Sequence, residues 1–205
     1  MTFLTSVVIN GDAVLSALEG VCYIADPDGK VVGIGDSNWT RFAESAECSA
    51  ELDVRRVVGR SLFDYIAGDD VRALYQSHMA SILAVPAESV SFHFRCDGPF
   101  VRREMRMNMS AIQNGEDVVG VLFQSLTLDE RDRPPISLFD YEAKLREYFD
   151  SPAPIVTLCS YCHAVKSDTA ENRWVPAESY YAAGGSEKVR ISHGICPACY
   201  KKNAR

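Results

Sequence analysis

The chain has 205 residues, of which 47% are hydrophobic, 24% charged and 10% aromatic, a composition typical of one or two globular domains. It contains no run of about 20 apolar residues that would span a membrane, and its first residues lack the basic start and cleavage site of a secretory signal, so we expect a cytoplasmic protein. A formal net charge of −7 argues against nucleic acid or an anionic membrane as the partner of the whole molecule.

Charge and cysteine are unevenly distributed along the chain. Residues 151–205 carry seven basic and four acidic side chains, a balance of +3 that leaves −10 for residues 1–150. The same C-terminal part holds two C-x2-C pairs, Cys159 with Cys162 and Cys196 with Cys199. A total of seven cysteines is odd and, in a chain without an export signal, argues against a disulfide framework. The sequence therefore predicts two domains, with metal ligation in the second.

The acidic part begins with a predicted helix and a hairpin. Asp12 is a candidate N-cap of the helix, and Gly20 is its predicted stop. The runs 21–25 and 30–34 are rich in β-branched residues and flank the turn sequence Asp-Pro-Asp-Gly, so they predict two antiparallel strands. A brief helix is predicted over 37–42.

More helices and then three strands follow. A short helix is predicted after Gly59, and a longer one from Asp69 until Pro86. Alternating apolar and polar residues predict strands over 90–96, 101–111 and 118–126, the last two joined by the hairpin signal Asn114-Gly115.

This element order resembles that of a PAS domain over residues 12–128. The segments from Gly20 to Gly29 (GVCYIADPDG) and from Val58 to Ile66 (VGRSLFDYI), together with the Asp69-Asp70 helix start, match that family. The resemblance implies an α+β fold with a five-stranded antiparallel sheet and helices on one face. It also implies a sensing or dimerising module with any ligand held between the sheet and the helices, and it leaves that ligand unknown.

His78 is a candidate haem ligand, because some PAS sensors hold haem iron through a histidine on the long helix. The other interpretation is a surface or partly packed helical residue. The predicted apolar stripe of the helix contains Val71, Leu74, Tyr75 and Ile82, and we place His78 off this stripe, facing solvent or the edge of the fold rather than the pocket. We therefore expect no haem and little change in stability in His78→Ala.

Two groups of strand residues also have two interpretations. Met105, Met107 and Met109 alternate along one strand and predict either a pliable ligand cavity or simple core. The basic residues form either an acid-binding patch on the opposite face of the sheet or a solvated face paired with nearby acids: Arg95, Arg102, Arg103 and Arg106.

Residues 129–154 have the composition of a linker, being charged and interrupted by four prolines. Strong helix formers over Tyr141–Phe149 predict a connecting helix within it.

The two cysteine pairs are the strongest signal in the chain. Each C-x2-C turn points two thiolates at one cation, and Cys159, Cys162, Cys196 and Cys199 together complete the tetrahedral shell that zinc favours. Four protein ligands leave no open position, so the predicted zinc is structural. Iron in the same shell, a redox dithiol, and a contribution from His163 or His193 are the alternatives.

The rest of this module is predicted to be small. Trp174, Val175, Tyr180 and Tyr181 are its candidate core, and a terminal helix is predicted over 198–204, which suggests a treble-clef or ribbon-like zinc knuckle. The Cys159–Cys162 start, Trp174 and the Ser192–Cys199 end also resemble, over residues 157–202, a tail found after PAS domains and in other bacterial two-component signalling proteins.

The sequence thus predicts an N-terminal helical cap over 1–20, a PAS-like sensor domain over 21–128, a linker over 129–154 and a four-cysteine zinc module over 155–205. We expect a non-enzymatic bacterial signalling protein that acts through a protein partner and forms a homodimer through its PAS part. The rivals are a haem-based sensor, a transcription regulator that contacts DNA through Lys201, Lys202 and Arg205, and an enzyme. No catalytic signature or phosphate loop supports the enzyme.

Overall fold

The computed structural model describes residues 10–45, 53–140, 153–166 and 173–203. It contains a five-stranded sheet in the N-terminal part and a four-stranded sheet in the C-terminal part. The predicted connecting helix over 141–149 lies outside the described residues. Among the described residues, no helix combines the length and the apolar character needed to cross a bilayer.

Local hydrogen bonds fix the first elements. Asn10 rather than Asp12 caps the first helix, because the Asn10 side chain accepts the amide hydrogen of Asp12. In the hairpin turn, the Asp26 carboxylate accepts the amides of Asp28 and Lys30. The elements are α1 (Gly11–Ala17), β1 (Val21–Ala25), β2 (Val31–Ile34), α2 (Asp36–Ser45), α3 (Val54–Val57), a 3-10 turn (Leu62–Tyr65) and α4 (Asp69–Ala84).

Three long strands complete the N-terminal sheet: β3 (Ser89–Arg95), β4 (Val101–Asn114) and β5 (Asp117–Asp132). The strand order is β2-β1-β5-β4-β3, and every neighbouring pair is antiparallel. The predicted α+β class and five-stranded antiparallel sheet are confirmed. β5 continues beyond its predicted end into the predicted linker, because its last residues pair with the start of β4.

The main core lies between this sheet and the helices. Met109, Val121 and Phe123 from the sheet and Ile82 from α4 are almost completely buried. His78 also belongs to this face: it is 5% exposed, and its ring stacks on Phe92 with centroids 5.7 Å apart. The prediction that His78 lies off the apolar stripe is wrong, because it lies four residues after Leu74 and four before Ile82, and so falls on that stripe.

The C-terminal sheet is built around two parallel strands. It comprises β6 (Ile155–Cys159), β7 (Val165–Lys166), β8 (Trp174–Val175) and β9 (Arg190–Gly194), with α5 (Ala177–Ala182) and α6 (Pro197–Asn203) alongside. The order is β8-β7-β6-β9, and β6 and β9 are parallel. Its own core includes Leu158, Val165 and Val189, with Ile136 and Leu138 from the predicted linker.

The predicted core of this module is therefore only partly right. Tyr180 and Tyr181 lie at the side of the module core, whereas Trp174 packs against the main core. Cys159, Tyr161 and Cys196 belong to the same apolar cluster as the core of the N-terminal sheet. The two predicted domains therefore do not have separate cores, because the first cysteine turn packs directly on that sheet.

Candidate functional site

The parallel pairing of β6 and β9 brings the two cysteine turns together. Cys159 is the last residue of β6 and lies opposite Gly194, the last residue of β9. The amide of Ser160 donates to the Gly194 carbonyl over 3.0 Å. Because the carboxyl ends of neighbouring parallel strands meet at one edge, the segments that follow these strands present their sulfurs to a common point.

The four Sγ atoms of Cys159, Cys162, Cys196 and Cys199 lie within 4.8 Å of one another. The Sγ atoms of Cys162 and Cys196 are 3.7 Å apart, close to the roughly 3.8 Å that Zn–S bonds of about 2.3 Å require in a tetrahedron. The amide of Cys196 points at the Cys159 sulfur and that of Cys199 at the Cys196 sulfur, each at 3.4 Å. This donor set is a possible metal site, and its chemistry fits zinc.

Contacts among the sulfurs shift the pKa values of Cys159 and Cys162 in opposite directions. Hydrogen bonds from Cys162 and Cys199 lower the pKa of Cys159, against the effect of burial. The contact with Cys159 raises the pKa of Cys162 to about 12. These contacts therefore favour the thiolate at Cys159 over Cys162, and a bound cation would favour the thiolate form of its ligands.

Neither nearby histidine belongs to the cluster of potential metal ligands found in the described part of the chain. His163 has a left-handed backbone with φ of 56°, and its Nδ1 lies 3.4 Å from Oδ2 of Asp97. Its ring stacks on Phe139 with centroids 4.9 Å apart. His193 is exposed. His163 thus contacts Asp97 of the N-terminal part.

A buried ion network joins the module to the end of β3. The Asp97 side chain is fully buried and pairs with Arg95 and with Arg133, the latter over 3.0 Å. Both arginines also contact Glu178 of α5, at 3.1 and 3.3 Å. Burial alone would raise the pKa of Asp97, but the neighbouring His163 and the hydrogen bonds from Arg95 outweigh it and hold this pKa well below its usual value.

Tyr161 connects the cysteine turn to the main core. It is 3% exposed, and its ring centroid lies 5.3 Å from that of Phe92. Its carbonyl accepts the amide of Arg95, at the outer edge of β3, over 2.8 Å. Tyr161 lies between two predicted ligands in the sequence, and an aromatic residue at that position is the signal that would have marked it.

An apolar cavity of about 320 Å³ lies between the N-terminal sheet and its helices. Met105 and Met107 line it, while Met109 is buried in the core, so each interpretation of the methionine stripe holds for part of it. His78 is not among the lining residues. The aromatic lining residues are Tyr23, Trp39, Phe42, Tyr65, Tyr75 and Phe94. The volume is at the lower end of the range of small-molecule sites.

Three of the four arginines that suggested a basic patch are paired with acids. Arg95 pairs with Asp97, Arg102 with Glu104, and Arg103 with Glu130. The placement of all four on the opposite face is wrong for Arg103, which is 4% exposed. Arg103 lies two residues before Met105, so its side chain is on the same face of β4 as Met105, Met107 and Met109. The alternation in the sequence already indicated this.

Comparisons with known proteins give structural likeness alone. No family model matches the chain, and no curated protein matches it. The PAS domain of Bordetella pertussis BvgS is similar with 10% identity and a TM-score of 0.43, over 68% of this chain and 91% of that one. A sensory box sensor histidine kinase from Vibrio cholerae is similar with 11% identity and a TM-score of 0.40, over 57% and 86%. For Vibrio cholerae VqmA the values are 12% and 0.42, over 57% of this chain and 49% of VqmA.

Proposed function

We propose that the chain is a non-enzymatic bacterial sensor of a small molecule, with a structural zinc that fastens the cysteine module to the PAS part. The cavity binds the ligand, and the module presents a docking surface to a signalling partner. The setting is cytoplasmic, as the sequence predicts.

The observation that carries this proposal is the position of the cavity beside the cysteine turn. Tyr75 lines the cavity, and its ring lies 5.6 Å from Phe92, which in turn contacts Tyr161. Cys159 and Cys162 flank Tyr161 in the chain. A ligand that shifts Tyr75 would therefore move Phe92 and then Tyr161, which lies between two of the cysteines. This chain of contacts is a short route for coupling the cavity to the cysteine module.

The metal half of the proposal is tested by elemental analysis of the purified chain. We expect one zinc per chain, and a loss of zinc when Cys159, Cys162, Cys196 or Cys199 is replaced by serine. Cys22→Ser is a control, because Cys22 lies in β1 outside the cluster. Full zinc content in all four single variants would refute the assignment, and iron with a visible absorbance band would replace zinc.

The sensor half is tested by fluorescence. Trp39 lines the cavity. The chain has two tryptophans, so in the Trp174→Phe protein the emission comes from Trp39 alone. We expect octanamide, a neutral apolar probe, to change Trp39 emission in a saturable manner. Ile66→Trp, which fills the cavity from a half-buried position, should block this binding when the same probe is followed by calorimetry. Binding that is absent in both proteins would refute a ligand-binding role.

Two further sequence predictions stay as proposals. Homodimerisation is tested by light scattering of the purified chain. DNA binding through the module is the rival output, since Lys201 and Lys202 are exposed on α6. A DNA mobility shift that weakens with salt and disappears in the Lys201→Ala, Lys202→Ala double variant would favour this rival.

A further inference from the structure

We propose that the cavity takes an amphipathic carboxylate, whose apolar body fills the cavity and whose carboxylate replaces Glu130 on Arg103. This inference rests on the sensor function proposed above and names the chemical class of its ligand.

The first step is the environment of Arg103. Its side chain is 5% exposed and lies on the cavity face of β4, two residues before Met105. Its Nη1 donates to the Cys96 carbonyl over 3.2 Å, and its guanidinium lies 5.5 Å from the centre of the Phe42 ring. A buried cation is costly without an anion beside it. In the described part of the chain, Glu130 is the carboxylate that pairs with the guanidinium of Arg103, whereas Asp97 accepts only its backbone amide.

The second step is that Glu130 is replaceable. Its Oε2 accepts from Nε of Arg103 over 2.6 Å, yet its side chain is 52% exposed. A half-exposed carboxylate can turn into water without a large loss of hydration, whereas the buried guanidinium cannot leave. An incoming carboxylate therefore finds the Arg103 guanidinium held in place and competes with Glu130, which can turn away. It would bind the guanidinium with the geometry that Glu130 already adopts.

The third step is continuity between Arg103 and the cavity. A second recess of about 250 Å³ is lined by Arg41, Arg103 and Glu130 with several neutral polar groups. The two spaces share Phe42 and Met105 as lining residues. A ligand that extends from one to the other passes from apolar walls to two guanidinium groups and one carboxylate. The excess positive charge selects an anionic head group and disfavours an ammonium.

The test compares octanoic acid with octanamide and octylamine in the Trp39 fluorescence titration. We expect the Trp174→Phe protein, the background for every variant in this test, to bind the acid at least tenfold more tightly than the amide, and the amine most weakly. Arg103→Gln should abolish the preference for the acid. Glu130→Gln should strengthen binding of the acid about threefold or more, because the competing carboxylate is gone.

Arg131→Gln is the matched control. It removes a positive charge from β5, the strand paired with β4, at an exposed site paired with Asp129, and it should leave all three affinities within twofold. If Arg103→Gln does not fold, Glu130→Gln still decides, because a weaker binding of the acid in that variant overturns the proposal. Equal affinities for acid and amide, or tighter binding of the amine, refute the carboxylate and leave the sensor function standing. Failure of all three probes refutes both.

Discussion

Tyr161 lies between two of the predicted metal ligands and also packs into the main core. In C-x2-C turns the two intervening residues commonly face solvent, but here the second is buried against Phe92. Its hydroxyl has no hydrogen-bond partner among the described residues. The ring therefore contributes by its apolar area and the hydroxyl contributes little.

Tyr161→Phe should accordingly leave the free energy of unfolding within ~0.5 kcal/mol of wild type, whereas Tyr161→Ala should lower it by about 3–5 kcal/mol. Urea unfolding of both variants measures the difference. A large loss in Tyr161→Phe would show that the hydroxyl matters and would contradict the ring-packing argument.

Asp97 carries a second prediction at this scale. Asp97→Asn should lower stability at pH 7 by about 3–5 kcal/mol, because Arg95 and Arg133 lose their fully buried anion. The pKa of Asp97 is lowered in the folded state, so its contribution is present above the unfolded value of about 4 and is lost as pH falls through the folded value. The difference in unfolding free energy between the two proteins should therefore narrow below pH about 4. Because any metal loss at low pH lowers the unfolding free energy of both proteins, it cancels in the difference taken at each pH.

His78→Ala should cost about 2 kcal/mol or more, since it empties a buried position against Phe92. His93→Ala is the control, because His93 is exposed on β3 and its removal should change stability by less than ~0.5 kcal/mol. Equal unfolding midpoints in urea for the two variants would contradict the buried placement of His78.

At the scale of elements, the start of α4 lies against the cysteine module. Gly68 caps α4 with φ of 90°, and a Cβ there would lie 2.8 Å from the carbonyl oxygen of His193 in β9. Gly68→Ala should therefore be destabilising by about 2 kcal/mol more than Gly115→Ala. Gly115 also has a positive φ, but its Cβ would meet no atom within 4 Å. Thermal melts of the two variants give the comparison.

Most elements were predictable from local pattern. The alternation through Met105, Met107 and Met109 and the Asn114-Gly115 turn fixed β4 and the start of β5. The end of β5 was missed because Asp129, Glu130 and Arg131 have the composition of a linker. In the sheet they lie opposite Arg102, Arg103 and Glu104, and cross-strand partners of this kind are not visible within one segment.

The candidate site was predictable in its ligands but not in its surroundings. The spacing of the cysteines identifies four sulfurs that do come together. The contact of Tyr161 with Phe92 and of Glu178 with Arg95 joins residues separated widely in sequence. Such contacts depend on tertiary packing, which periodicity does not report.

At the scale of the whole molecule, removal of the proposed zinc should destabilise both parts together. Cys159 and Cys196 belong to the main core cluster, so a module that opens withdraws Tyr161 from Phe92. We expect a chelator to lower the melting temperature of the entire chain and to speed hydrogen exchange at the Arg95 amide, which the Tyr161 carbonyl accepts. Hydrogen exchange in the β1–β2 hairpin turn, where the Asp26 carboxylate accepts two backbone amides, serves as the control. Unchanged exchange at Arg95 would contradict the shared core.

The contact between Tyr161 and Arg95 also has a consequence for colloidal behaviour. β3 is an outer strand of its sheet, and such strands recruit strands of other molecules when their amides are free. The cysteine turn covers the end of β3 and the Phe92 ring beside it. Loss of the metal would uncover both, so a zinc-starved chain should aggregate through β3 rather than persist as a soluble monomer.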